Sequence, residues 1–322
     1  MTLLTYREAA IEIEPGEDVL SALLRAEIDA PHSCRSGVCQ SCMHRAVDGK
    51  PPAAAQQGLS EAQKALGYFL ACRCVPDTPL TIVPAREAEG RSEAFVRSID
   101  RLSGEVVRLR LEHGADFAYR PGQFLELITH DGLGRHYSIA SLPQEDPYVE
   151  LHIRLHTGGR MSQFIAEELA PGSRLHIAGP LGTCIYEGVD PDQPMALIGS
   201  GTGLAPLLGV LRDALKRGHR GPIRLYHGAR EREGLYLHDH LEALTETHAN
   251  LSYVPRVLNE SGHQGGDVAA AALEHEDALS RTAFFLCGGE KLVGRLKRDL
   301  YLKGVSLKQM RSDAFLPAGA GR

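Results

Sequence analysis

Cys34-Arg35-Ser36-Gly37-Val38-Cys39-Gln40-Ser41-Cys42, followed after 29 residues by Cys72, decides how the first quarter of this 322-residue chain folds. Four residues separate the first two cysteines and two separate the next pair, a spacing that suits a [2Fe–2S] cluster with a distant fourth thiolate. Cys34, Cys39, Cys42 and Cys72 are therefore the expected iron ligands, and the chain is expected to carry single electrons. A zinc site more often presents two short-spaced pairs. A disulfide framework belongs to secreted chains, and Met1-Thr2-Leu3-Leu4-Thr5-Tyr6-Arg7-Glu8 lacks the basic flank and apolar run of a signal peptide.

An anionic cluster needs backbone N–H groups turned toward its sulfurs, hence permissive residues such as Ser36 and Gly37 in the loop. Plant-type ferredoxins commonly place Gly or Ser first between the second and third cysteines, where this chain has Gln40. Cys74 competes for the fourth position. The context Phe69-Leu70-Ala71-Cys72-Arg73-Cys74-Val75-Pro76 resembles the ferredoxin segment in which the cysteine after an apolar pair is the ligand, which selects Cys72 and leaves Cys74 as a small packed residue.

At 43% hydrophobic and 24% charged, the chain has the composition of ordinary globular material, and its length suits two or three domains. A net charge of −6 argues against a nucleic-acid partner, and no apolar run approaches the roughly 20 residues of a membrane span. A cytoplasmic, monomeric protein is expected. The 15 histidines form no H-E-x-x-H pair, and most read as surface or barrel residues.

Three blocks follow along the chain. In residues 1–83, β-like runs at Leu3–Tyr6 and Ala10–Ile13 precede a helix over Asp18–Ile28, whose Leu20, Leu23, Leu24 and Ile28 trace one face. That is a β-grasp pattern of α+β type. Residues 84–93, Pro84-Ala85-Arg86-Glu87-Ala88-Glu89-Gly90-Arg91-Ser92-Glu93, are polar and aperiodic, as in a linker. Residues 94–190 read as an antiparallel β-barrel. There Val107, Leu109 and Leu111, and Val149, Leu151, Ile153 and Leu155, alternate with polar neighbours, so that each strand is expected to bury one face. Residues 191–322 alternate strand and helix. Strands are expected at Met195–Ile198, Ile223–His227, Leu251–Val257 and Ala283–Leu286, in a doubly wound parallel α/β sheet. Gly199-Ser200-Gly201-Thr202-Gly203 turns the first strand into a helix carrying Leu204, Leu207, Leu208, Leu211 and Leu215, which Gly218 ends. Such a turn presents backbone N–H groups and a helix dipole to a pyrophosphate.

Arg135-His136-Tyr137-Ser138 and His156-Thr157-Gly158-Gly159-Arg160-Met161-Ser162 lie upstream of that turn. With them, the chain resembles the ferredoxin–NAD(P)H reductase superfamily over nearly its whole length, specifically the reductase components of bacterial ring-hydroxylating dioxygenases and related monooxygenases. The resemblance implies FAD in the barrel. Arg135 would offset flavin phosphate charge, Tyr137 would pack on the isoalloxazine and Ser138 would hydrogen-bond near N5, with His136, Ile153 and Arg154 also in the flavin site. Gly159, Met161 and Ser162 would open a helix onto the pyrophosphate. Gly201, Thr202, Gly203 and Pro206 match the family's nicotinamide-dinucleotide turn. Cys287-Gly288-Gly289 matches its cysteine–glycine motif, in which the thiol lies near the hydride-transferring carbon. Ser138 and Cys287 are thus the implied catalytic pair, and Phe315 of Asp313-Ala314-Phe315 the aromatic residue brought to the flavin.

A nicotinamide delivers two electrons and a [2Fe–2S] cluster accepts one, so a flavin must stand between them. The expected activity is that of an NAD(P)H:acceptor oxidoreductase of ferredoxin–NAD reductase type, passing electrons through FAD and the cluster to a partner protein, an oxygenase component. In Gly228-Ala229-Arg230-Glu231-Arg232-Glu233-Gly234-Leu235-Tyr236, Arg230 is expected at the adenosine ribose or its phosphate, and Arg232 could meet a 2′-phosphate that Glu231 and Glu233 beside it would repel. NADH is therefore favoured over NADPH. Two alternatives remain open: the same electron chain serving a sugar-deoxygenation enzyme, and a non-catalytic redox sensor.

Overall fold

The computed structural model describes residues 2–315 apart from 8, 33–34, 38–39, 60, 86–90, 116, 263 and 277. Two units are present, the first ending at Arg91 and the second spanning Ser92–Phe315. No helix among the described residues is long and apolar enough to cross a membrane.

The first unit is a mixed sheet with a helix. Its strands are β1 (Thr2–Tyr6), β2 (Ala9–Ile13), β3 (Met43–Asp48), β4 (Tyr68–Leu70) and β5 (Leu80–Pro84), in the order β2-β1-β5-β3-β4. β1 and β5 pair in parallel and the other pairs are antiparallel. Helix α1 (Val19–Arg25) buries Val19, Leu20, Ala22 and Leu23, and the Asp18 carboxylate caps it by accepting from the Ser21 N–H at 2.9 Å. It ends before the expected Ile28. Glu27 turns to φ 58°, and the N–H groups of Glu27 and Ile28 close back onto the carbonyls of Leu24 and Leu23 at 3.0 Å. A short helix, α2 (Glu61–Ala65), precedes β4.

The second unit opens with six antiparallel strands: β6 (Ser92–Arg101), β7 (Val106–His113), β8 (Phe124–Ile128), β9 (Gly134–Ser138), β10 (Val149–Arg154) and β11 (Arg174–Leu181), with α3 (Arg160–Gln163) after β10. Their order is β10-β7-β6-β11-β8-β9, and a bridge between Ile139 and Leu151 joins the two edges into a barrel. Val107, Leu109, Leu111, Val149, Leu151 and Ile153 fill the interior as the alternation predicts, each contributing about 1.5–3 kcal/mol of burial. One expectation fails on β10: Glu150 and His152, read as solvent-facing, are buried. Arg110 of β7 covers Glu150 at 2.8 Å, and Tyr236 of the following domain packs edge-on to His152 at 5.4 Å between ring centres.

The remaining strands form one parallel sheet, β14-β13-β12-β15-β16. They are β12 (Met195–Ser200), β13 (Ile223–Ala229), β14 (Leu251–Val257), β15 (Ala283–Gly289) and β16 (Met310–Phe315), connected by helices α4 (Leu204–Lys216), α5 (His238–Thr247), α6 (Val268–His275) and α7 (Glu290–Leu302). Leu197, Leu225 and Phe285 face a core with Leu207, Leu211 and Leu241, whereas Ile198, Tyr226 and Leu286 face one with Val268, Val293 and Leu296. Both faces are therefore covered, as a parallel sheet requires. The strands run past their expected ends to include the glycine-bearing tips Gly199-Ser200, Gly228-Ala229 and Cys287-Gly288-Gly289, and β16 is an additional strand. His227, at the end of the strand expected over Ile223–His227, is fully buried in this sheet.

Candidate cofactor sites

In the first unit, Cys34 and Cys39 lie outside the described residues. The segments that carry Cys42 and Cys72 are joined directly, because the Ala71 N–H donates to the Cys42 carbonyl at 3.0 Å. The loop reaches the same place. Gly37 holds φ +80°, and a Cβ there would lie 2.8 Å from Cγ of Arg73, so the loop backbone rests against the residue next to Cys72. Gln40 also takes a positive φ of 59°, a conformation in which glycine carries no steric cost. Its side chain offsets this by donating to the Gly58 carbonyl at 3.1 Å. Cys74 is fully buried, whereas Cys72 retains exposure. Soft thiol donors on two abutting segments, with left-handed loop residues between them, fit an iron–sulfur cluster.

In the barrel, β9 places Arg135, His136, Tyr137 and Ser138 in succession opposite Leu127, Glu126, Leu125 and Phe124 of β8. Tyr137 is half-buried against the barrel core, and burial pushes its phenol well above the ordinary tyrosine range. The Arg135 guanidinium donates to the Gly134 carbonyl at 2.7 Å and makes no ion pair with any described residue, which leaves donors for a phosphate. His136 is exposed and edge-on to Phe124. Ile153 points into the barrel interior, and exposed Arg154 is paired with Glu105 at 2.6 Å. The expected apolar helix is a single four-residue segment, α3, continued by wider turns over Phe164–Glu168. Gly159 caps it where a Cβ would meet the His156 carbonyl at 3.2 Å, Met161 is buried in the barrel core, and the Ser162 hydroxyl accepts from the His156 N–H at 2.8 Å. An unpaired cation, an adjacent aromatic ring and a glycine-lined turn fit a flavin dinucleotide.

The parallel sheet gathers its motifs at the carboxyl ends of β12 and β15, where the strand order reverses and ligands of such sheets bind. Gly199 pairs with Cys287. A Cβ on Gly203 would lie 2.4 Å from the Cys287 carbonyl oxygen, so only glycine lets α4 start this close to β15. Pro206 is buried in the first turn of α4. Gly201 is left-handed (φ +52°) and meets nothing within 4 Å, and Gly288 (φ +133°) abuts the Ser200 hydroxyl. This open, glycine-lined face beside a helix start fits a dinucleotide pyrophosphate. Gly289 ends β15 opposite half-buried Phe315 of β16. Cys287 is fully buried 3.5 Å from the Cys184 sulfur, and burial holds its thiol well above the usual cysteine range.

The two implied catalytic residues come together through a third. Ser138 donates from its hydroxyl to the Asp313 carboxylate at 2.7 Å, and Asp313 pairs with Cys287 across β16 and β15. Desolvation pushes the Asp313 carboxyl up to about 6, against the lowering effect of the serine. In the sequence, Asp313 stands out only as a neighbour of Phe315. At the end of β13, Arg230 is exposed, and its guanidinium has no partner among the described residues. Arg232 lies two residues on, with Nε and Nη2 bonded to the two Glu260 carboxylate oxygens at 2.9 and 2.5 Å.

Residues 5–77 match the family model of the 2Fe-2S iron-sulfur cluster binding domain, 93–186 that of the oxidoreductase FAD-binding domain and 197–297 that of the oxidoreductase NAD-binding domain. The chain is 31% identical over 323 residues to the reductase subunit of an aromatic O-demethylase from Amycolatopsis, covering 96% of each. It is likewise 31% identical, with 96% of each chain covered, to the ferredoxin–NAD(P)(+) reductase component of the naphthalene 1,2-dioxygenase system of Pseudomonas putida. The crystal structure of an Amycolatopsis cytochrome P450 reductase superposes on 99% of this chain and 100% of its own with a TM-score of 0.71 at 28% identity.

Proposed function

The chain belongs to the iron–sulfur flavoprotein reductases of the ferredoxin–NAD(P)H reductase superfamily that include the reductase components of ring-hydroxylating oxygenase systems, and from that premise we propose that it oxidises NADH and hands single electrons to an oxygenase component. It is an oxidoreductase with [2Fe–2S]-, FAD- and NAD-binding domains. The observation that carries the reading is the Ser138–Asp313–Cys287 junction, which joins a barrel strand to the tips of the parallel sheet at one point.

When bound, FAD accepts a hydride and releases electrons singly, and the cluster accepts them one at a time. The chain's own residues do the rest. Gly201, Thr202, Gly203 and Pro206 shape a turn whose N–H groups bind the pyrophosphate of the nicotinamide dinucleotide, and Arg230 meets its adenosine end. Arg135 neutralises flavin phosphate with Gly159, Met161 and Ser162 nearby, while Tyr137, His136, Ile153 and Arg154 border the flavin. Ser138 holds its proton at Oγ against Asp313, which keeps the hydroxyl oriented. Cys287, Gly288, Gly289 and Phe315 line the nicotinamide side, with Cys287 and Gly288 buried behind exposed Gly289 and half-buried Phe315. Cys34, Cys39, Cys42 and Cys72 hold the cluster.

The proposed division is 1–83 for the cluster domain, 84–93 as connection, 94–190 for the flavin domain and 191–322 for the dinucleotide domain. Glu231 and Glu233 favour NADH over NADPH. A cytoplasmic setting and a monomeric state belong to the same proposal. Anaerobic mixing of the purified holoprotein with each nucleotide tests the reading. NADH should reduce flavin and cluster with kcat/KM at least about tenfold above NADPH, equivalent to ~1.4 kcal/mol, and addition of the cognate oxygenase should reoxidise both. Equal or better use of NADPH would overturn the nucleotide assignment, and absence of any NADH-driven reduction would overturn the whole.

A further inference from the structure

Arg232 stands three residues beyond the end of β13, in the region of a dinucleotide fold from which a cation reads a ribose 2′-phosphate. Its fork is already filled. Glu260 takes Nε and Nη2 in a two-point pair, and Gln264 takes Nη1 at 3.1 Å. The loop that supplies both partners follows β14 and is fastened to the end of β13: the N–H groups of Leu258 and Asn259 donate to the carbonyls of Ala229 and Arg230 at 2.9 and 3.2 Å. It is further fixed by the Val257 and Gly266 N–H groups, which donate to the carbonyls of Gln264 and Val257 at 2.8 and 3.0 Å. The Asn259 side chain also donates to Glu231.

We infer that Glu260 is a specificity-determining residue: by engaging the Arg232 guanidinium, it withholds from a 2′-phosphate the cation that would otherwise bind it. The inference rests on the NADH reading above and deepens it. A 2′-phosphate approaching Arg232 must displace a carboxylate from a two-point pair while facing Glu260, Glu231 and Glu233, whereas the 2′-hydroxyl of NADH carries no charge and loses nothing to them. Glu260 touches no part of the reacting centre and acts only through Arg232.

The experiment uses the full-length holoprotein with two probes that do not depend on turnover, adenosine 2′,5′-bisphosphate and 5′-AMP, whose affinities are measured by titration calorimetry. Glu260→Gln should tighten the bisphosphate about tenfold, leave 5′-AMP within about twofold, and raise kcat/KM for NADPH to a similar extent. The gain should vanish in Glu260→Gln/Arg232→Gln, and Arg232→Gln alone should change bisphosphate affinity by less than about twofold, since its charge is already engaged. Glu260→Ser repeats the test should the first variant fold poorly. Unchanged bisphosphate affinity in both Glu260 variants would overturn the inference. So would a gain that survives loss of Arg232, which would point to Arg230, or a tenfold loss on Arg232→Gln alone. A wild-type protein that prefers NADPH would instead contradict the underlying NADH reading.

Discussion

Gly203→Ala would set a methyl carbon 2.4 Å from the Cys287 carbonyl oxygen, 2.7 Å from its carbonyl carbon and 3.0 Å from Cα of Gly288. Ordinary contact begins near 3.4 Å, so the start of α4 and the end of β15 must part by about 1 Å. All three atoms belong to backbone, and β15 is held between β12 and β16, so no side chain can swing aside. Overpacking of this kind costs about 1–3 kcal/mol, and a displacement of about 1 Å at a binding constellation costs on the order of 100-fold in rate. Thermal unfolding of the holoprotein should fall by about 4–8 °C for a loss of about 2 kcal/mol in a unit of this size. NADH:ferricyanide kcat/KM should drop about 10- to 100-fold while flavin content is retained. Gly201→Ala supplies the contrast. Its Cβ meets nothing within 4 Å, so only the left-handed conformation is penalised, at about 1–2 kcal/mol. The reasoning is refuted if Gly203→Ala unfolds at the wild-type temperature with NADH kcat/KM within twofold, or if Gly201→Ala proves the more destabilised of the two.

Replacing Cys34, Cys39, Cys42 or Cys72 singly with Ser should abolish the visible spectrum of the native cluster, and Cys74→Ser should retain it; bleaching by the last variant and not by Cys72→Ser would reverse the ligand choice. The Asp313 carboxyl, raised from 3.8 to about 6, keeps a proton in the folded chain that the unfolded chain has released between about pH 4 and 6. Its contribution to stability is therefore favourable in acid and lost as pH rises through 6. Asp313→Asn should accordingly stabilise the protein at pH 7.5 by on the order of 1–3 kcal/mol, and denaturant titrations at pH 4 should show that difference gone. An equal difference at both pH values would mean that the carboxyl is not the source.

The cysteine loop, the barrel alternation and the strand–helix alternation were legible because each rests on a local spacing. What the sequence concealed depends on contacts between distant residues. Glu150 and His152 sit at polar positions of an alternating strand, and their burial follows from Arg110 and Tyr236, which a local pattern does not reveal. β16 escaped because Met310–Phe315 is an edge strand, half-buried at five of its six positions, with Arg, Ser and Asp among its residues and no continuous apolar run. Asp313 meets Ser138 across 175 residues, and Glu260 meets Arg232 across 28. In each case the residue type was ordinary and the partner supplied the meaning. Gln40 was the converse: its departure from the ferredoxin pattern was visible, but only the left-handed backbone there explains why glycine is common at that place.

The central claim is that electrons leave through the cluster and not directly from the flavin. It is tested most directly by NADH-driven reduction of ferricyanide and of cytochrome c, measured side by side for the full chain and for a chain beginning at Ser92, where the second unit starts. The shortened protein should bind FAD and reduce ferricyanide at close to the full rate, because a small oxidant takes electrons from the flavin, and it should reduce cytochrome c poorly. Cytochrome c reduction undiminished in the absence of residues 1–91 would contradict the linear path from NADH through FAD and the [2Fe–2S] cluster to the protein acceptor.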